Sequence, residues 1–156
     1  MKLYNLFEEV IFEGLITESV ISSEQINAAI NGEFANNGRK FIRRYNVHYN
    51  DGTDEGSGWR QIEVYAYGKS STGNDVIRIY QGFGDSKRKP REPHGWKLFR
   101  LDKITGWEPT NAKSWAPVDN DYDANKMKTQ GDGSMSQTFN YVDFSETQNV
   151  NNVEEI

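Results

Sequence analysis

The sequence contains no cysteine. That absence excludes a disulfide framework, a thiolate metal site and a cysteine nucleophile. Apolar residues are also scarce, at 35% of 156, and no apolar run approaches the roughly 20 residues that span a bilayer. The opening Met1-Lys2-Leu3-Tyr4-Asn5-Leu6-Phe7-Glu8-Glu9 has acids where a signal peptide needs an uninterrupted apolar stretch. The expectation is a soluble, intracellular chain with no membrane partner. Its length suits one domain with appendages, and an aromatic content of 13% points to a small, ring-rich core.

Catalytic motifs are missing as well. His48 and His94 stand far apart and belong to no spaced metal motif. Gly52 to Gly58 lacks the Lys-Ser/Thr ending of a phosphate-binding loop, and Gly82-Phe83-Gly84 is too short for dinucleotide binding. Asp51, Asp54 and Glu55 read as a solvated acidic turn before they read as a cation site. No nucleophile is paired with a base. No enzyme, no metal and no cofactor is expected.

What the chain does have is uneven charge. Residues 39–103 hold fourteen Lys/Arg against eight Asp/Glu, a balance of +6, which leaves −11 for the two flanks of a chain at −5. A basic centre between acidic arms suits an anionic partner, and equally suits arms that fold back on the centre.

Leu3, Leu6, Phe7, Val10 and Ile11 recur at helical spacing up to Gly14 and predict an amphipathic helix of about three turns. Ser22 and Gln25 form a capping box for a second, whose apolar face is Ile26, Ala29 and Ile30 and whose stop is Gly32. Two short helices are too few for a helix-turn-helix domain. From Phe41 the period shortens to two, with Tyr45, Val47 and Tyr49 on one face. Trp59 to Tyr67 predicts a strand with Ile62, Val64 and Ala66 on one side and Glu63, Tyr65 and Tyr67 on the other. Asp75 to Gln81 predicts a third strand, and a basic loop, Lys87-Arg88-Lys89-Pro90-Arg91, follows it.

Gly95 to Pro109 organises the rest. Trp96 to Arg100 reads as a strand, Leu101-Asp102-Lys103-Ile104 as one tight turn, and Trp107 as a short strand that Pro109 ends. Strand, one-turn plug and strand predict a mainly β (α+β) fold. The expected form is a small five-stranded SH3/Sm-like barrel over 39–110, with two short N-terminal helices in 1–35 and an irregular, polar C-terminal arm, 111–156. An open antiparallel sheet capped by the helices is the alternative. Within the arm, Thr138 to Phe144 alone has the character of a further strand.

Glu63 to Gly68, Val76 to Gln81 and above all Phe99-Arg100-Leu101-Asp102-Lys103-Ile104 resemble a WYL-type domain, as found in small tailed-bacteriophage proteins; the resemblance covers about residues 40–110. It implies an Sm/SH3-like barrel that binds nucleic acid or a nucleotide-like ligand. The residues agree with a basic-aromatic face: Arg60, Arg78 and Arg100 sit beside Trp59, Tyr80 and Trp96 on successive strands. An arginine fork suits phosphate and a ring suits a base. The expected ligand site is Arg60, Tyr65, Arg78, Tyr80, Trp96, Arg100 and Lys103, with Lys87, Arg88, Lys89 and Arg91 on a nucleic-acid backbone. The bland alternative pairs the arginines with Glu63, Asp75 and Asp102. A separate expectation is a structural or adaptor protein of a phage particle, its arms ordered by neighbouring subunits. The locale is then host cytoplasm or virion.

Overall fold

The computed structural model describes residues 20–52, 57–83, 95–118 and 121–149. Helix α1, Ser23–Asn31, starts at the predicted capping box. Ser22 Oγ accepts the Gln25 N–H at 3.2 Å, and Gln25 Oε1 accepts the Ser22 N–H at 3.1 Å, which satisfies two donors the first turn leaves over. Gly32 ends the helix at φ +72°, where a Cβ would sit 2.5 Å from the Phe41 carbonyl oxygen. Ile26, Ala29 and Ile30 are buried, each isoleucine contributing roughly 1.5–3 kcal/mol. The other predicted N-terminal helix lies outside the described residues.

Strands β1 (Glu33–Phe34), β2 (Lys40–Tyr49), β3 (Gly58–Lys69), β4 (Asp75–Phe83) and β5 (Gly95–Arg100) are hydrogen-bonded in that order. A one-turn 3-10 helix, Leu101–Lys103, then leads into β6 (Ile104–Ser114), α2 (Ala124–Gln130) and β7 (Gln137–Tyr141). The plug is where the sequence puts it, with Leu101 and Ile104 buried.

The barrel is not. β6 pairs with β2 and β7 with β3, and no ladder joins β5 to β6 among the described residues. The five-stranded SH3/Sm-like barrel is corrected to an open, antiparallel, seven-stranded sheet with two short helices, only one of them N-terminal to it. Two features account for the difference. Pro109 does not end β6: a register irregularity between Arg43 and Tyr45 seats Pro109 opposite Tyr45, and the strand runs on to Ser114. The long strands β2 and β3 also have edge to spare, which β1 and β7 occupy.

The irregular C-terminal arm is corrected too. Asp123 caps α2 by accepting the Asn125 and Lys126 N–H groups, β7 joins β3 from Lys69↔Gln137 to Ala66↔Tyr141, and Thr147 bridges Arg39. Gly68 permits this approach, since a Cβ there would lie 2.1 Å from the Gln137 carbonyl oxygen and 2.6 Å from Met135 Sδ. Gly68→Ala should therefore loosen β7 and cost about 1–3 kcal/mol, as overpacking does. Urea unfolding with amide exchange of Thr138 to Tyr141 checks it; a cost below about 0.5 kcal/mol and unchanged exchange would refute the close packing.

The sheet has two differently covered faces. Ile62, Val64, Ile77, Ile79 and Phe99 form one with α1 in the main core. On the other, Tyr65, Tyr80 and Trp96 meet Tyr122 and Phe144 of the arm. The predicted alternation along β3 fails at Tyr65. A bulge between Val64 and Ala66 turns Ala66 to the arm side, opposite Arg78, and returns Tyr67 to the helix side, opposite Ile77.

Candidate nucleic-acid interface

The expected convergence of Arg60, Arg78 and Arg100 on one face does not occur. Arg78 pairs across with Leu98 and Arg100 with Val76, which places both on the arm side. Arg60 lies on the helix side, 3.3 Å from Gln81 Oε1 and with its guanidinium carbon 5.6 Å from the Phe99 ring and 5.7 Å from that of Tyr49. Arg60 shares the parity of Ala66, the partner of Arg78, along β3, so it is the bulge between Val64 and Ala66 that puts Arg60 and Arg78 on opposite faces.

The arginines are also committed. Arg78 makes a two-pronged contact with Asp132, at 2.7 Å and 3.0 Å. Burial works to raise the Asp132 pKa, but Arg78 and the Ser134 N–H outweigh it and hold the carboxyl below its ordinary value. Arg100 grips Asp102 at 2.6 Å and 3.0 Å and lowers its pKa, with Lys103 adding to the effect. Of the ion pairs read from the sequence, Arg100–Asp102 is found, whereas Glu63 goes to Arg44 and Asp75 to Lys69.

The aromatic members Tyr65, Tyr80 and Trp96 are packed against one another and the arm. Trp96 stands edge-on to Tyr65 and Tyr80 and stacks at 27° on Tyr122 with centroids 6.0 Å apart. A cleft of about 280 Å³ remains beside them, with Arg78, Lys126, Asp121, Asp123 and Asp132 in its walls. Three carboxylates against two cations make it a poor receptor for phosphate. The face assigned to a ligand is thus occupied by the chain's own arm. Lys87, Arg88, Lys89 and Arg91 lie outside the described residues.

Beneath the arm is a polar knot that the strand pattern does not announce. Glu63 is fully buried; it accepts from Tyr65 Oη at 2.8 Å and from Ser114 Oγ, and Arg44 Nε approaches at 3.4 Å. Burial and then the Glu63 charge push the Tyr65 pKa up, so this hydroxyl stays a donor at any physiological pH. Val118 donates its N–H to the same hydroxyl at 3.3 Å. The knot ties β3, β6 and the start of the arm together.

A different basic-aromatic cluster forms where β2 begins and β6 ends. Arg43 and Lys113 are cross-strand partners, and the Phe41 and Trp115 rings pack with centroids 4.9 Å apart. Arg39 lies 5.2 Å over Trp115, and Lys113 4.7 Å and Arg43 5.6 Å over Phe41. Glu33 pairs with Arg43 through both carboxylate oxygens, and that contact lowers its pKa. Arg39 and Lys113 are exposed. Arg39, Arg43 and Phe41 come from one basic run, Arg39-Lys40-Phe41-Ile42-Arg43-Arg44, but Lys113 and Trp115 arrive from seventy residues on. The run was visible in the sequence and its partners were not.

Among the described residues no three or more His, Asp or Glu side chains group as a metal site, and no helix is long and apolar enough to cross a membrane. Comparison with protein-family models, curated proteins and solved structures finds no match for this chain. Its class is therefore stated from its own fold: a mainly β protein on an open antiparallel sheet, with one face closed by its C-terminal arm.

Proposed function

We propose that this chain is a non-enzymatic binding module for single-stranded nucleic acid, WYL-like in its Phe99 to Ile104 run and phage-encoded, acting in the host cytoplasm or on the virion. The observation that carries the reading is the seating of Arg39, Arg43 and Lys113 around the Phe41 and Trp115 rings, with Glu33 the one acid paired to them among the described residues. Cations beside the half-buried Trp115 ring, itself packed on the buried Phe41, suit a strand whose phosphates need charge and whose bases need a stacking surface. Arg78 and Arg100, each held by an aspartate, are not assigned to the site.

Fluorescence anisotropy of labelled single-stranded DNA and RNA tests it. The Arg39→Ala/Lys113→Ala protein should bind about tenfold or more weakly at physiological salt and lose about 1.4 from its salt slope, two phosphate contacts at about 0.7 each. Both side chains are exposed, so the fold should persist. Equal affinity of wild type and variant would reject the patch. Tighter binding of duplex than of single strands would reject the stacking role.

The second reading, an adaptor in a phage particle, is supported by Phe139 of β7, which stands edge-on to Tyr67 of β3 and is 44% exposed. Mass spectrometry of purified virions decides it, and absence from them excludes it.

A further inference from the structure

The half of the arm-side face that the arm leaves open carries a second surface. Two cross-strand rows lie there on one side of β3, β2 and β6. Trp59 pairs with His48 and His48 with Gly106; Gln61 pairs with Asn46 and Asn46 with Glu108. Side chains two residues apart on a strand share a face, so the six positions form one grid. Trp59 is 40% exposed. Its indole reaches across β2 onto β6: a Cβ on Gly106 would fall 2.7 Å from Trp59 Cη2 and 3.3 Å from Cζ2. His48 meets the indole edge-on with centroids 5.3 Å apart, and its Nδ1 is held 2.7 Å from Thr105 Oγ1. The benzo end of the indole therefore sits over the Gly106 backbone, with His48 against it.

We propose that this grid is a binding platform for a neutral glycan, with Trp59 as the stacking ring and Asn46, Gln61 and Glu108 as the hydroxyl-binding row. Three features select that chemistry. The indole spans β2 and is 40% exposed, which leaves ring surface for the apolar face of a pyranose to pack on. The adjoining row offers two amides and one carboxylate, which together donate to and accept from hydroxyls. The six grid positions hold no Lys or Arg, and Arg44, the next residue on that face of β2, is already turned to the buried carboxylate of Glu63, so a phosphate or sulfate would meet the carboxylate of Glu108 first. Three strands at about 4.8 Å spacing make the row roughly 10 Å wide, the span of two sugar rings. This surface is independent of the nucleic-acid patch, which lies at the other end of β2 and is built from cations.

An array of neutral gluco-, galacto- and manno-configured oligosaccharides, with sialylated and sulfated glycans and single-stranded DNA beside them, tests the platform on the full chain. Retention of a neutral glycan, unchanged between low and physiological salt, is expected. Trp59→Ala should weaken it about tenfold or more, as loss of a central aromatic anchor does, and Trp59→Phe should restore part of the loss. Gln61→Ala checks the hydroxyl row without touching the ring. Circular dichroism must report an unchanged fold for each variant. No neutral glycan retained, retention only of acidic glycans, or binding indifferent to Trp59→Ala and Gln61→Ala would each overturn the proposal. DNA retention lost with Arg39→Ala/Lys113→Ala but not with Trp59→Ala would leave it standing as a separate site.

Discussion

Glu63→Ala should destabilise the protein by about 3–5 kcal/mol, the range seen when one partner of a buried ionic network is removed. Glu63 has no exposed surface, and its carboxylate is the acceptor for Tyr65 Oη and Ser114 Oγ and the counter-charge for Arg44. Alanine would strand two buried hydroxyls, and an unsatisfied buried donor costs more than a made hydrogen bond contributes. Glu63→Gln retains one acceptor oxygen and the same volume, so it should cost less, about 1–2 kcal/mol. Replacing the whole set, Glu63→Leu with Tyr65→Phe and Ser114→Ala, should recover most of the loss, because Arg44 is 28% exposed and can turn to water. Chemical denaturation at pH 7 measures all three. A single-variant cost below about 1 kcal/mol would mean that the knot is wet.

Deleting residues 121–156 should abolish cooperative folding and leave no autonomous sheet. The arm covers Tyr65, Trp96, Ala66 and Val76 through Tyr122, Phe144, Met127, Met135 and Tyr141. It also supplies Asp132 to Arg78 and Glu146 to the buried Lys40, and Asn140 Nδ2 bonds to Asn27 and Asn31 of α1. Without it a large apolar face meets water and two cations lose their partners. The shortened chain should aggregate or give a broad melt in circular dichroism. A sharp transition with a near-native midpoint would show that residues 1–120 fold without the arm. Acid should weaken the arm clasp in the same sense: with its pKa depressed, Asp132 stabilises the fold fully above the ordinary aspartate value and loses that contribution as pH falls through its own.

Every prediction above turns on which residues meet across the sheet, and that was only partly legible. Structure set by neighbours in sequence could be read: the Ser22–Gln25 box and Gly32 stop of α1, the strand over 75–81, the turn at Leu101 to Lys103, and strand character after Thr138. Each is written in capping groups or in a period of two, which act over a few residues. Long-range partners were not written that way. One bulged residue at Tyr65 reverses the parity of everything after it, and parity decides which face a side chain joins. The charge balance allowed acidic arms that fold back on the basic centre, but it did not single out Asp132 as the residue that reaches Arg78 fifty-four positions back. Nor could the basic run at 39–44 show that Lys113 and Trp115 would complete it. Local chemistry decided the elements. Which edges paired, which face the arm closed and where the cations gathered came from burying rings and satisfying buried charges across the whole sheet, and those energies exist only once distant strands are side by side.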